Sequence, residues 1–499
     1  MRRGLILAAL IAAVAATRFL FRSHMLYDLD SVDFGLALQR FDPSVFQPHP
    51  PGYFLYVMLG RLVNGLFGDA NDALVMVSIA ASCATAGAVY VLTKEWYGWG
   101  QAVVSVLLFL FSPLCWFHGT VALTYIVEAF FSALVGWLCW RVYSGSTSFV
   151  IPASIAFGLA AGFRPSAGLL LGPMWLASIY RVGWKHRLLG FGALSGTVVA
   201  WSVPMMLASG GVSGFFRPLV QLWVTVPGRR TALNDPASAI ARVFTIAWIL
   251  ILCFGSSTLA GLGGSEGSPS RDRTRFIWIW IAPGLCFFSF VFLLFVNSGY
   301  LLLVAPPLFA LLAARVHRFL CAARYPRLRW AALFAGAALN CAVFFFAPLY
   351  CSRKSIVDFE RDLTAITRDF QSNLNAGDTL IIGFDSHFLG YRHAGYYLPQ
   401  FRVVQYPEVA SAGVRKVFAM QGRDTQLVSE FCLDRYKEFV FFPLPAGTEY
   451  AAYGEKIRTL LPADALRTRK VGGVTAFSAS SEAIRSLFPA TARVGCQAR

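Results

Sequence analysis

Eleven apolar runs, at about 5–21, 73–93, 101–117, 121–140, 148–163, 166–180, 188–208, 239–261, 276–297, 299–314 and 330–350, punctuate this chain. Each comes near the roughly 20 residues that a helix needs to cross a bilayer. In hydrocarbon only a helix or a closed barrel satisfies its own backbone. The expected fold class is therefore a polytopic α-helical membrane protein. Composition agrees, with 57% hydrophobic and only 14% charged residues in 499. The first run follows Arg2 and Arg3 and continues through Phe19, Leu20 and Phe21 without a clear cleavage site, so it reads as a retained anchor rather than a signal peptide.

A net charge of +17 does not point to nucleic acid here. The basic residues sit in short clusters between apolar runs, where membrane orientation and lipid headgroups account for them. One further run, 53–68 "YFLYVMLGRLVNGLFG", is interrupted by Arg61 and Asn64. At about 1.5 Å per residue it spans some 24 Å, short of the roughly 30 Å hydrocarbon core. If this run lies along the surface, 15 basic residues fall on one side of the membrane and seven on the other. If it crosses, the later clusters oppose Arg2 and Arg3. The positive-inside rule thus predicts a juxtamembrane helix, a cytoplasmic N-terminus and an extracytoplasmic segment 22–72. The same reasoning places 209–237 and the chain after 351 outside.

The domains expected are a membrane module over 1–350 and an extracytoplasmic α/β domain over 351–499. The latter contains 19 Lys+Arg and 15 Asp+Glu, with β-rich runs "TLIIGF", "FRVVQY", "EFVFF" and "GVTAFS" separated by helical stretches. Seven of the ten cysteines lie in apolar runs without the close pairing that zinc needs. Cys351, Cys432 and Cys496 leave room for one unassigned disulfide outside.

Acidic residues are where chemistry concentrates. Of eleven in the first 350 residues, four are Asp28, Asp30, Asp33 and Asp42, in "YDLDSVDFGLALQRFDPSVFQPHPPGY". Glu128 is the only acid between Glu95 and Asp235 and falls near the outer end of a span, where a carboxylate is costly unless it meets a cavity, a cation or a partner such as His118. Arg164, held in "GFRP" on the same side, suits a phosphate through two parallel hydrogen bonds. The prolines after His49 fix its backbone, and His49 with the helix start beyond Gly52, including Tyr53, can hold an anion. Arg229 and Arg230 lie in an aromatic and basic interfacial segment and are candidates for a lipid phosphate.

Taken in order, "DLDS", "HPPGY", "TYIVEAF" and "GFRP" followed by a soluble tail resemble the membrane-embedded GT-C glycosyltransferases, with the protein O-mannosyltransferase and aminoarabinose transferase (family 39-like) group most similar. "YRHAGYYLP" at 391–399 also looks like a feature of bacterial members, without a chemical role that the sequence supplies. The resemblance implies transfer of a sugar from a polyprenyl-phosphate carrier to an acceptor on the outer face, with lipid, glycan and protein acceptors open; the compact loops and N-terminus point to a bacterial inner membrane ahead of an endoplasmic-reticulum analogue. It implies that Asp30 is the base. Many members have glutamate next, whereas here Ser31 follows, so the second acid is Glu128, Asp28 or Asp33. Asp30 and Glu128 are the expected ligands of any divalent cation, Mg or Mn. Asp28, Asp33, His49, Tyr53, His118, Arg164, Arg229 and Arg230 are the expected substrate-binding set. So sparse a site suits the reaction, because polyprenyl phosphate is already a good leaving group and one base with cationic donors suffices. The same charges also fit a flippase of lipid-linked sugars, and a tail-dependent assembly protein is the non-catalytic alternative.

Overall fold

A computed structural model describes residues 2–225, 228, 231–256, 270–294, 298–321, 326–406, 417–428, 433–443, 461, 466–471, 474–479 and 484. The protein is a polytopic helical membrane protein with a sheet-containing C-terminal part. Its chain divides into two compact units, Met1–Ser23 with Tyr53–Ser355, and His24–Gly52 with Ile356–Arg499. Residues 24–52, which a linear reading leaves beside the first span, thus group with the C-terminal residues.

In the first unit, six of the described helices are long and apolar enough to cross a membrane: Arg2–Leu20, Ala70–Tyr97, Tyr125–Tyr143, Trp184–Ala208, Pro236–Phe254 and Arg327–Phe346. Shorter apolar helices include Phe54–Phe67, the interrupted run predicted to lie at the surface. The apolar run 101–117 is not one helix. Proline lacks an amide donor and disfavours helix in the residue before it. The helix Trp99–Leu110 accordingly stops and Pro113–His118 restarts, with the Ser112 hydroxyl accepting the Cys115 amide as its N-cap. The first helix is built into this unit. It packs on Ala70–Tyr97, and its buried Arg18 donates to the carbonyls of Leu110 at 3.0 Å and Phe109 at 3.3 Å, at the C-terminal end of Trp99–Leu110 where the i→i−4 ladder stops. Two of the buried tryptophans donate to serine hydroxyls, Trp175 to Ser154 and Trp280 to Ser132.

The second unit is built on strands β1 (Thr379–Gly383), β2 (Arg402–Gln405), β3 (Val417–Gln421), β4 (Asp424–Val428), β5 (Glu438–Phe441), β6 (Leu466–Val471) and β7 (Val474–Ala479). Their order in the sheet is β4-β3-β2-β1-β5-β7-β6. Strand β1 is parallel to β2 and β5 and buried along its whole length, as "TLIIG" requires of a central strand. Leu380, Ile382, Phe384, Val404, Phe439 and Phe441 form its core. The helix Tyr391–Tyr397 follows β1 and packs against β1 and β2, and the helix Leu29–Gln39 packs on Tyr391–Tyr397. The acidic stretch is thereby fixed to the sheet's own helix. Cys351 is buried with a free thiol, and Cys432 and Cys496 lie outside the described residues.

Candidate active site

The second unit holds four of the predicted residues in one group. Asp28 has extended backbone and N-caps the helix Leu29–Gln39, accepting the Asp30 amide at 2.9 Å. Asp30 and Asp33 lie three residues apart and therefore share a face. His49 Nδ1 stands 3.5 Å from Asp30 Oδ1 and 3.6 Å from Asp33 Oδ2. Asp42 and Gln47 close the loop that delivers His49, exchanging backbone hydrogen bonds of 2.5 and 3.0 Å. The Asp30 side chain is 21% exposed and that of Asp33 only 3%. Burial pushes the Asp33 carboxyl up to about 6, against the opposing pull of Arg392 and His49.

Two residues that the sequence did not single out complete this group. Arg392 Nη1 lies 2.8 Å from Asp33 Oδ1 in a fully buried ion pair. His387 Nδ1 lies 3.7 Å from Asp28 Oδ2, and its carbonyl accepts the Leu29 amide at 2.9 Å. Although burial opposes it, the neighbouring carboxylates of Asp28, Asp30 and Asp385 raise His387 to about 9. Both residues come from "FDSHFLGYRHAGYYLP"; the family-like motif "YRHAGYYLP" contains Arg392 but supplied no role for it.

One carboxylate oxygen each from Asp30 and Asp33 and a ring nitrogen of His49 all lie within 4.8 Å of one another. Two hard oxygens and an imidazole are suitable donors for a divalent cation. Asp30 shares this donor set with Asp33 and His49, and Glu128 lies in a different group.

Glu128 belongs to a second group, wholly within the first unit. It is buried in the first turn of Tyr125–Tyr143. Pro165 holds Arg164 extended between two helices, which ends Val150–Phe163 and turns the arginine inward. Arg164 Nε meets Glu128 Oε2 at 2.8 Å, while the Ser166 hydroxyl donates to Glu128 Oε1 at 2.9 Å. A further Arg164 nitrogen donates to the Thr124 hydroxyl. The guanidinium faces the rings of Tyr125, Tyr300 and Tyr53 at 4.3, 4.9 and 5.6 Å. Tyr53 thus joins Arg164, as does His118 through its edge contact with Tyr125 at 5.0 Å; its Nε2 also lies 3.4 Å from the Ser298 hydroxyl. Pairing with Arg164 answers the cost of a carboxylate in a span. Arg229 and Arg230 lie outside the described residues.

Residues 44–188 match the family described as the protein O-mannosyl-transferase TMEM260 N-terminal domain. Among solved structures, ArnT from Cupriavidus metallidurans bound to undecaprenyl phosphate aligns over 98% of this chain and 99% of its own, with TM-score 0.58 and 12% identity. Its apo state aligns over 96% and 98%, with TM-score 0.54 and 12% identity. The oligosaccharyltransferase of Archaeoglobus fulgidus in the apo form covers 80% of this chain and 64% of its own, with TM-score 0.46 and 13% identity. No curated protein matches the chain by sequence. At 12% identity the correspondence with ArnT is one of fold, and the fold is that of the GT-C glycosyltransferases.

Proposed function

We propose that this chain is a glycosyltransferase of the GT-C type that moves a sugar from a polyprenyl-phosphate carrier to an acceptor hydroxyl or amine outside the cytoplasm. The observation that carries the reading is the group formed by Asp30 and Asp33 on a capped helix with His49 from the following loop. It places a partly exposed carboxylate beside an imidazole and a buried second acid. Asp30 takes the proton from the acceptor as the acceptor's heteroatom bonds to the anomeric carbon. The bond from that carbon to the phosphate oxygen breaks, polyprenyl phosphate departs with the electron pair, and the configuration inverts. His49 steadies the ionised Asp30, while Arg164, oriented by Glu128 and Thr124, is assigned the phosphate. Tyr53 and His118, grouped with Arg164, are assigned to the same phosphate. Asp30, Asp33 and His49 are the residues that would hold a divalent cation such as Mg or Mn, which when bound would supply positive charge at the acidic group. The excess of basic residues on the N-terminal side supports a cytoplasmic N-terminus and an extracytoplasmic second unit.

The test uses purified full-length protein in detergent with a panel of radiolabelled polyprenyl-phosphate hexoses and pentoses and a membrane extract as acceptor source. Wild type should transfer label to a new product, and Asp30→Asn should lose roughly 10²–10⁴-fold, the usual worth of a general base. Near-normal turnover in Asp30→Asn would refute the assignment. Donor binding without transfer by wild type would instead favour movement of the intact lipid-linked sugar.

A further inference from the structure

The helix Tyr391–Tyr397, which opens the motif without a chemical role, turns one of its side chains toward the acidic group. Arg392 is 2% exposed and ends 2.8 Å from Asp33 Oδ1. The other oxygen of Asp33 faces His49, and His49 Nδ1 also faces Asp30 Oδ1. We infer that Arg392 is a positioning residue for Asp30, acting through the line of guanidinium, Asp33 carboxylate and the His49 Nδ1 that Asp33 and Asp30 share. The inference rests on Asp30 as the base.

Arg392 grips the line at two points. Besides the ion pair, its Nη1 donates to the Phe46 carbonyl at 3.3 Å and its Nη2 to the Val45 carbonyl at 3.4 Å. Those carbonyls belong to the loop that carries His49, so one planar fork fixes both the carboxylate facing the imidazole and the backbone delivering it. The faces of Tyr391 and Phe46, 5.0 and 5.5 Å from the guanidinium carbon, limit its other freedom. Remove the guanidinium and the buried charge of Asp33 is answered by His49 alone. The imidazole is then drawn away from Asp30, and the base loses the partner that orients it.

Docking of the aspartate helix does not depend on this arginine. The Leu26 amide donates to Tyr397 Oη at 2.7 Å, and the Leu29 amide donates to the His387 carbonyl. Loss of Arg392 should therefore disturb the line more than the fold.

The experiment measures kcat and donor KM for full-length protein with the same polyprenyl-phosphate sugar panel, comparing wild type with Arg392→Met, Arg392→Lys, Asp33→Asn and the double variant Arg392→Met/Asp33→Asn. Arg392→Met should lower kcat about 100-fold while KM stays within about threefold, and Arg392→Lys should recover to within about tenfold of wild type. In the double variant the two losses should not multiply, because both substitutions break one line. Unchanged kcat in Arg392→Met, a rise in KM alone, or losses that multiply would each overturn the inference. Thermal unfolding reports whether each variant folds. Where Arg392→Met does not fold, Arg392→Gln decides: a fall in kcat at constant KM supports the line, and wild-type kcat overturns it. An active Asp30→Asn would sink the base assignment itself. An inactive Asp30→Asn beside a fully active Arg392→Met would sink only the positioning role.

Discussion

His387 gives the acidic group a measurable dependence on pH. Its proton is held more tightly in the folded protein, with the pKa raised from 6.5 to about 9 among Asp28, Asp30 and Asp385. A raised folded value means that the stabilisation is complete below about 6.5 and lost as pH rises through about 9. The thermal midpoint of the second unit should thus fall between those values, and His387→Gln should flatten that slope; an unchanged slope in the variant would remove His387 as the cause. The raised Asp33 acts in the same sense at lower pH, with stability lost as pH rises from about 4 toward 6. Asp28, Asp30, Asp33 and His49 were legible in the sequence because all four stand within one polar stretch of an otherwise apolar chain. Their partners were not. Arg392 reaches the Phe46 carbonyl across 346 residues, and no local spacing reports such a contact. Glu128 and Arg164 stood out singly as charges in spans, but their pairing with each other depends on how three helices pack, which hydropathy does not encode.

Among the elements, prolines and glycines set what hydropathy blurs. A window averaged over 101–117 sees one apolar run, whereas Ser112 and Pro113 break it into two helices. The runs "TLIIGF", "FRVVQY", "EFVFF" and "GVTAFS" did become β1, β2, β5 and β7, because strands with buried faces carry dense β-branched and aromatic residues. Strand β4, "DTQLV", escaped notice, since a strand at the end of the sheet with one polar face has little apolar signal. Where β1 meets the helix Tyr391–Tyr397, the approach is backbone to backbone. A Cβ added at Gly383 would lie 2.5 Å from Tyr391 Cα, and that atom cannot swing aside as a side chain can. Gly383→Val should therefore destabilise the protein by about 1–3 kcal/mol, as overpacking typically does. A thermal midpoint equal to wild type would show that the strand and helix separate without cost.

At the scale of the whole molecule, the second unit is assembled from two distant pieces of chain, His24–Gly52 and Ile356–Arg499. Truncation after residue 350 should consequently remove the partners of Asp28, Asp33 and Leu26 together. The expected result is loss of transfer with new protease cleavage within 24–52, read by limited proteolysis of the purified truncated protein. Resistance of that segment would show that it keeps its structure alone. The helical spans were legible at this scale and the two-piece unit was not, because hydropathy marks where the chain enters lipid but not which of its loops return to one another.

That two-piece construction also has a consequence for how the protein is made. The aspartate helix leaves the ribosome roughly 340 residues before the strands and helix that complete its unit, and a non-local contact of this kind cannot form until its later half exists. On the proposed function, the carboxylate assigned as base therefore gains its partners only once the later piece has been made, and an interrupted translation product should be inserted but inactive in transfer.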